Sequence, residues 1–281
     1  MKSVKYKSRV KNYCVINMMI VRPGREIEIV FLLISVAFYL YWVWRSTGVK
    51  PIPSLRNFPA IDAIPEGVGR SVETNQPVHF GLGESSALSA DQAAGTISAL
   101  NFLSYTARAC ARAGAKLVIR ISPNPHLYTQ ADALVTEAYV AEGKQQELDK
   151  LFTLRYHGDA RSYMTRGIHD MDELGTAMNV TMGALSVETI WAFAVCRMKG
   201  GIGVGGGSRW GMVFGLAMLA DYSLLGEEMY AASAKISGDR TMTTSFLGGD
   251  WLKYVLIALI IIAGIATIAG RYDWVSWIFK R

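Results

Sequence analysis

The chain has 281 residues, of which 51% are hydrophobic, and a formal net charge of +6. This length accommodates one sizeable domain beside membrane segments and excludes a second domain of full size. The charge does not indicate a nucleic-acid-binding protein, because residues 1–25 hold seven basic residues and no acid, whereas residues 51–250 hold 16 basic and 20 acidic residues. We therefore expect no nucleic-acid partner, and a basic excess that faces anionic lipid headgroups.

The first organised element is the stretch from Ile27 to Trp44, 18 residues interrupted only by Glu28. At about 1.5 Å per residue, a helix of this length covers roughly 27 Å, close to the ~30 Å hydrocarbon thickness of a bilayer. Aromatic residues crowd its far end and Arg45 closes it, as expected at a membrane interface. An uncleaved membrane anchor is favoured over a buried helix or a signal peptide, because the stretch is apolar on all faces and lacks a small-residue cleavage site.

The next segment, residues 46–65, contains Pro51, Pro53, Pro59 and Pro65, which predicts a semi-rigid extended linker that cannot run as a helix. From residue 76 onward, β-branched runs alternate with segments of helical periodicity. Strands are predicted over 77–82, 116–122, 151–156, 179–185 and 201–204, and helices over 89–113, 130–142, 160–174, 186–198 and 227–236. This alternation predicts an α/β, Rossmann-like three-layer domain with a mostly parallel sheet.

A second uncharged stretch, Tyr254 to Gly270, predicts a second transmembrane helix. The apolar run from Met212 to Leu219 is too short to span a bilayer and is expected in the core of the domain. The predicted organisation is a basic tail over 1–25, a transmembrane helix over 26–45, a proline-rich linker over 46–75, the α/β domain over 76–250, a transmembrane helix over 251–270 and an interfacial tail over 271–281.

Two spans predict a multi-pass protein of the cell membrane with both termini on one side and the domain on the other. The basic N-terminus favours termini inside, but translation from Met18 or Met19 would remove that charge contrast. The side on which the domain lies stays open.

Three loops at predicted strand ends hold candidate ligand-binding residues, because ligands of open α/β sheets bind at the carboxyl ends of strands. The candidates are Gly83, Glu84 and Ser85 in the first loop, Asn124 and His126 in the second, and Gly205, Gly206 and Ser208 in the third. If the strands are neighbours, His79, Glu84, His126 and Asp221 can converge on one crevice. Ordinary turn chemistry is the competing interpretation of these loops.

The glycine-rich stretch from Gly200 to Trp210 contains GxGxxG in Gly201, Gly203 and Gly206. In a dinucleotide-binding fold this pattern opens the first βα unit and precedes a helix and an acidic residue. Here it comes late in the chain and an apolar, glycine-containing segment follows, so a turn at residues 205–208 or a close backbone approach is favoured over a phosphate site.

Patterns for metal binding or nucleophilic catalysis are missing from the sequence. The four histidines lack a metal-binding spacing, and neither GxSxG nor a Walker motif occurs. We expect no metal site and no cofactor; catalysis has no support and stays open. Cys110 and Cys196 are expected to be small core residues, and one disulfide between them also stays open.

Several ordered segments together resemble a family of uncharacterised prokaryotic membrane proteins that carry one domain of unknown function. They are IPSLRNFPAIDAIPEGVGRSVETNQPVHFGLG, ARAGAKLVIRI, EAYVAEG, MGAL with Glu188, ADYSLLGEEMYAA and GGDW before the second anchor. The resemblance covers roughly Ile52 to Gly270. It implies a two-anchor α/β membrane protein and carries over no activity or catalytic residue.

The leading interpretation is an integral membrane protein whose α/β domain serves as a structural or assembly component. Its expected partners are the lipid bilayer and either copies of itself or other membrane-protein subunits, since small residues such as Ala258 and Gly264 allow helices to approach closely in a membrane. The alternative is a membrane-anchored domain that binds a small ligand or nucleotide through the strand-end loops, an enzyme among the options.

Overall fold

The computed structural model describes residues 26–46, 55–88, 92–121 and 124–268. The chain divides into an α/β unit over residues 53–239 and a second unit, whose described residues form two long helices. The predicted tails over 1–25 and 271–281 lie outside the described residues, as does the first part of the predicted linker.

Six strands alternate with helices in the α/β unit. The strands are β1 Val78–Gly81, β2 Leu117–Ile121, β3 Phe152–Tyr156, β4 Met178–Gly183, β5 Ile202–Gly207 and β6 Tyr222–Leu225. They form one sheet in the order β3-β2-β1-β4-β5-β6, and every neighbouring pair is parallel. The α/β, Rossmann-like fold is therefore confirmed. The strand order reverses between β1 and β4, which makes this pair the topological switch point of the sheet.

Ten helices accompany the strands in the described residues. They are α1 Glu26–Ser46, α2 Pro59–Thr74, α3 Ala93–Ala113, α4 Pro125–Ala141, α5 Leu148–Leu151, α6 Ala160–Leu174, α7 Thr189–Met198, α8 Trp210–Leu219, α9 Glu227–Ser237 and α10 Arg240–Ile268. Helices α2, α4 and α9 each pack against α3, whereas α7 packs against α6 and α8. These groups cover opposite faces of the sheet, as crossovers on either side of a switch point require.

The two faces of the sheet differ in chemistry. Paired positions on the α3 face are apolar and form the main core, for example Phe80 beside Ile119 and Val180. Two smaller apolar clusters lie under α6, α7 and α8. On that second face, polar residues occupy strand positions between these apolar clusters. The candidate site lies on this polar face.

The predicted linker is wrong over residues 59–74, which form α2 despite Pro65. Pro59 takes the first helical position, where a missing N–H costs little. Pro65 lies on the exposed side, while Ile64 and Val68 on the other side are buried in the core. Tertiary burial of this face outweighs the interior proline, a contribution that a local pattern does not report.

Helices α1 and α10 pack against each other and expose large apolar side chains along most of their length. A Cβ atom at Gly248 would lie 3.2 Å from the ring of Trp42, so the missing side chain permits this close approach. Both helices are long and apolar enough to cross a membrane. Helix α10 begins at Arg240, not at residue 251 as predicted, because no helix-breaking proline interrupts the segment that precedes GGDW. Residues 240–250 thus belong to this helix and not to the α/β unit.

Candidate functional site

The candidate site lies at the switch point, where the loops after β1 and β4 leave the sheet. The backbone N–H of Ser85 donates to the carbonyl oxygen of Ala184 over 3.2 Å, and the Ser86 hydroxyl accepts from the Ala184 N–H over 3.3 Å. Gly83 has φ +78°, and a Cβ there would lie 2.7 Å from the Ala184 carbonyl oxygen. A glycine at this position therefore lets the two loops join.

Glu84 is the acidic residue of this junction, and only 2% of its surface is exposed. Its Oε2 atom accepts a hydrogen bond of 2.6 Å from the hydroxyl of Thr189, the first residue of α7. A carboxylate at a helix N-terminus is favourable because it faces the positive end of the helix dipole. Its Oε1 atom is buried and has no hydrogen-bond partner among the described residues.

A cavity of about 510 Å³ opens beside Glu84, between α6 and the start of α7. Its walls combine two carboxylates, one guanidinium, three hydroxyls and an apolar surface. They consist of Glu84, Ser85, Ala160, Arg161, Met164, Thr165, Ile168, Ser186, Glu188 and Trp191. The hydrogen bond that the Ser186 hydroxyl donates to Glu188 lowers the pKa of that carboxyl, and nearby Arg161 adds to the effect.

A buried polar cluster lies on the same face of the sheet. In the sheet register His79 is opposite Asn179, and Gly81 lies between Arg120 and Thr181. Arg120 is 1% exposed and donates to the Asn179 side-chain oxygen over 3.0 Å. Its guanidinium carbon lies 5.5 Å from the centre of the Tyr163 ring, a cation–π contact.

Burial controls the protonation of this cluster. Loss of solvent, followed by the charge of Arg120, lowers the pKa of His79 from 6.5 to about 3, and its Nε2 atom lies 2.9 Å from the Gly175 carbonyl oxygen. Burial also lowers the pKa of His157 and raises the pKa of Tyr163 to about 12. These groups are neutral near pH 7, so His79 is too weak a base for general acid–base chemistry at that pH.

Of the predicted site residues, Glu84 and Ser85 line the cavity, and Gly83 precedes them in the same loop. Asn124 lies at a different strand end, where its side chain caps α4 by accepting from the His126 N–H over 3.2 Å. His126 is exposed. Asp221 lies just before β6, the strand at the edge of the sheet farthest from β3, and its carboxylate accepts a hydrogen bond of 2.8 Å from the Gly203 N–H. Of the four residues proposed to converge, only Glu84 lines the cavity.

The predicted turn at residues 205–208 is wrong, because β5 continues to Gly207 and only Ser208 lies beyond it, exposed. A Cβ atom at Gly205 would lie 2.6 Å from Leu216 Cδ2, and one at Gly206 would lie 3.2 Å from Met229 Cγ. These glycines let helices on both faces approach the strand. The close backbone approach weighed from the sequence therefore explains this stretch.

Sequence reasoning missed the other half of the cavity. Arg161 and Thr165 come from α6, Ser186 and Glu188 from the loop after β4, and Trp191 from α7. These segments reach the β1 loop only because β4 pairs with β1. Strand order is not encoded in local periodicity, so no pattern in the sequence joined the two loops.

A second feature is an exposed apolar surface on α7 and α8, which we call the apolar face. It consists of Trp191 (65% exposed), Met198 (84%), Trp210 (84%), Phe214 (72%) and Met218 (76%). The two helices are in close contact, since a Cβ atom at Gly215 would overlap the Ile190 side chain. The apolar face is therefore formed by two adjacent helices.

Together these features define a class: an α/β protein with Rossmann-type strand order, a cavity at the switch point and two helices long and apolar enough to cross a membrane. The chain belongs to the family described as Domain of unknown function (DUF6754), whose family model matches residues 17–278. No curated protein and no solved structure matches it.

Proposed function

We propose that this protein is a membrane-anchored assembly component whose α/β domain binds a second copy of the chain through the apolar face. Helices α1 and α10 are the anchors, because the exposed apolar side chains along both are stable in hydrocarbon and not in water. The observation that carries the proposal is the composition of α8.

Helix α8 has the sequence WGMVFGLAML and contains no polar or charged side chain. Its inner side is covered, since Met212 and Leu216 are buried. Its outer side presents Trp210, Phe214 and Met218. A helix that is apolar all round is normally buried on all sides, so the composition of α8 supports a partner on the outer side.

The size of the apolar face matches a stable interface. At roughly 150–250 Å² per fully exposed aromatic side chain, and the lower end of that range for methionine, its five exposed side chains amount to on the order of 600–800 Å². A standard interface buries about 800 Å² per partner, with aromatic residues and methionine enriched at its core. Rim residues would supply the remainder.

Charges near the apolar face favour a second copy as the occupant. Helix α7 has exposed Glu188 at its start and exposed Arg197 at its end, whereas α8 has Arg209 before it and Asp221 beyond it. A two-fold axis that sets each helix antiparallel to its own counterpart places opposite charges together at both helix pairs. This self-complementarity is what an isologous dimer requires.

The test is the native mass of the full-length particle in detergent, for the wild type, Phe214→Glu and Val140→Glu. Val140 is a matched control, because it is also an exposed apolar residue but lies on α4 at the other face of the sheet. We expect a dimeric wild type and Val140→Glu chain and a monomeric, folded Phe214→Glu chain. A monomeric wild type overturns the proposal, and so does a Phe214→Glu chain that remains dimeric.

Two other occupants are outcomes of the same test. A mass that fits one copy plus a different protein identifies a foreign subunit. A chain that is monomeric in detergent and whose apolar face is labelled by a photoactivatable lipid in vesicles identifies the lipid surface. Either result contradicts self-association.

A further inference from the structure

From the cavity at the switch point we infer a further activity of this domain: it binds a small organic cation, an ammonium group attached to an apolar body. The cavity of about 510 Å³ has the size of known small-molecule sites, roughly 300–1,000 Å³. The cavity adjoins the apolar face, because Trp191 belongs to both. Cation binding through Glu84 does not require self-association, and self-association does not require cation binding.

The anchoring group for the cation is Glu84. Glu84 is one of the residues that line the cavity and is 98% buried; the Thr189 hydroxyl donates to Oε2, but no described residue donates to Oε1. Buried carboxylate oxygens are costly to leave without a donor. An ammonium N–H reaching Oε1 supplies that donor, and a charge-assisted bond is the strongest kind available there.

The charges of the cavity favour a cation over a phosphate. Two carboxylates, Glu84 and Glu188, stand against the single guanidinium of Arg161. The first amides of α7 are also occupied, because the N–H groups of residues 189–191 donate to the carbonyl oxygens of residues 186–188 over 3.1 to 3.3 Å. The N-terminus of α7 is therefore taken up by its own loop and by Glu84, which leaves little there to bind a phosphate.

The remaining walls indicate the body of the ligand. Met164 and Ile168 give an apolar lining, and Trp191 stands at the rim with most of its ring exposed. An indole face attracts a cation through its quadrupole and packs well on an aromatic or aliphatic group. Hydroxyls of Ser85, Thr165 and Ser186 add neutral hydrogen-bonding partners that suit either a hydroxyl or an amine.

The experiment is calorimetric titration of the full-length chain in detergent with phenethylammonium, and with phenylacetate as the probe of opposite charge. We expect saturable binding of phenethylammonium at one site per chain and none of phenylacetate. The variant Glu84→Gln keeps the shape and removes the charge, and should weaken binding at least tenfold. Glu137→Gln makes the same chemical change on the exposed surface of α4 and should leave affinity unchanged.

A second variant guards against loss of the fold. Trp191→Leu alters an exposed side chain, so it should fold normally and still weaken binding, while Phe214→Glu should break the dimer and leave binding intact. The inference is overturned if phenethylammonium shows no saturable binding, if phenylacetate binds as tightly, or if Glu84→Gln, shown to be folded by its thermal midpoint, keeps the affinity of Glu137→Gln.

Discussion

The glycines of β5 offer a quantitative prediction, because the structure assigns them to packing. In Gly205→Ala the new Cβ atom would lie 2.6 Å from Leu216 Cδ2 and 2.8 Å from Phe193 Cζ, where an ordinary contact is 3.4–4 Å. Both neighbours are buried and cannot swing into solvent. Overpacking of this kind lowers the free energy of unfolding by about 1–3 kcal/mol, whereas replacing a glycine within a strand raises it by roughly 0.5–1 kcal/mol. Because two buried atoms lie closer than 3.0 Å to the new Cβ, we take the upper half of the overpacking range, about 2–3 kcal/mol, which less a gain of about 1 kcal/mol leaves a net loss of about 1–2 kcal/mol.

The assay is thermal unfolding of the full-length chain in one detergent, followed by near-ultraviolet circular dichroism. At roughly 2–4 °C per kcal/mol for a domain of this size, the midpoint should fall by about 2–8 °C. Gly211→Ala is the control, because nothing lies within 4 Å of its Cβ position and a helical alanine is more stable than glycine. If Gly205→Ala unfolds at the wild-type temperature or above it, the packing argument is refuted.

Two further predictions concern groups inside the fold. The pKa of His79 is about 3 in the folded chain, and its ordinary value is 6.5. Between pH 6.5 and pH 3 the unfolded state therefore binds more protons than the folded state. The free energy of unfolding falls by about 1.4 kcal/mol for each pH unit that the pH is lowered through this range. Denaturant titrations at pH 7 and pH 5 should show that the free energy of unfolding decreases less for His79→Gln than for the wild type. An equal decrease would contradict the burial of this imidazole. Burial raises the pKa of the Cys110 thiol to about 12 and that of Cys196 to about 11, and both are free. In a Cys14→Ser chain, iodoacetamide should therefore label neither thiol until denaturant is added, and rapid native labelling would refute their placement in the core.

The fold class was readable from the sequence because five of the six strands have a local signature. β2, with the sequence LVIRI, is a β-branched run of the kind that buried parallel strands show. β6, with the sequence YSLL, contains no β-branched residue and closely follows the apolar helix α8, so it was missed. Helix α2 was missed for the opposite reason: its prolines gave a strong local signal that the burial of Ile64 and Val68 overrides.

The sequence predicted only one of the two loops that form the candidate site, and the reason is physical. The loop with Glu84 follows a recognisable strand, and its position at a carboxyl end marked it as a candidate. Its burial against Thr189, 105 residues further along the chain, depends on β4 lying beside β1. The apolar face escaped detection because an apolar run of ten residues reads equally well as a buried helix, and only the structure shows which side is exposed.

The most direct test of the central claim is cross-linking of the apolar face in intact membranes, before any detergent is added. Ala217→Cys, in a Cys14→Ser chain, introduces one accessible thiol on the outer side of α8 with little change in volume, and Ala133→Cys places the same thiol on exposed α4. With a short bis-maleimide we predict a covalent dimer from Ala217→Cys and a monomer from Ala133→Cys. If both chains remain monomeric, or if both give the same amount of covalent dimer, self-association through this face is contradicted.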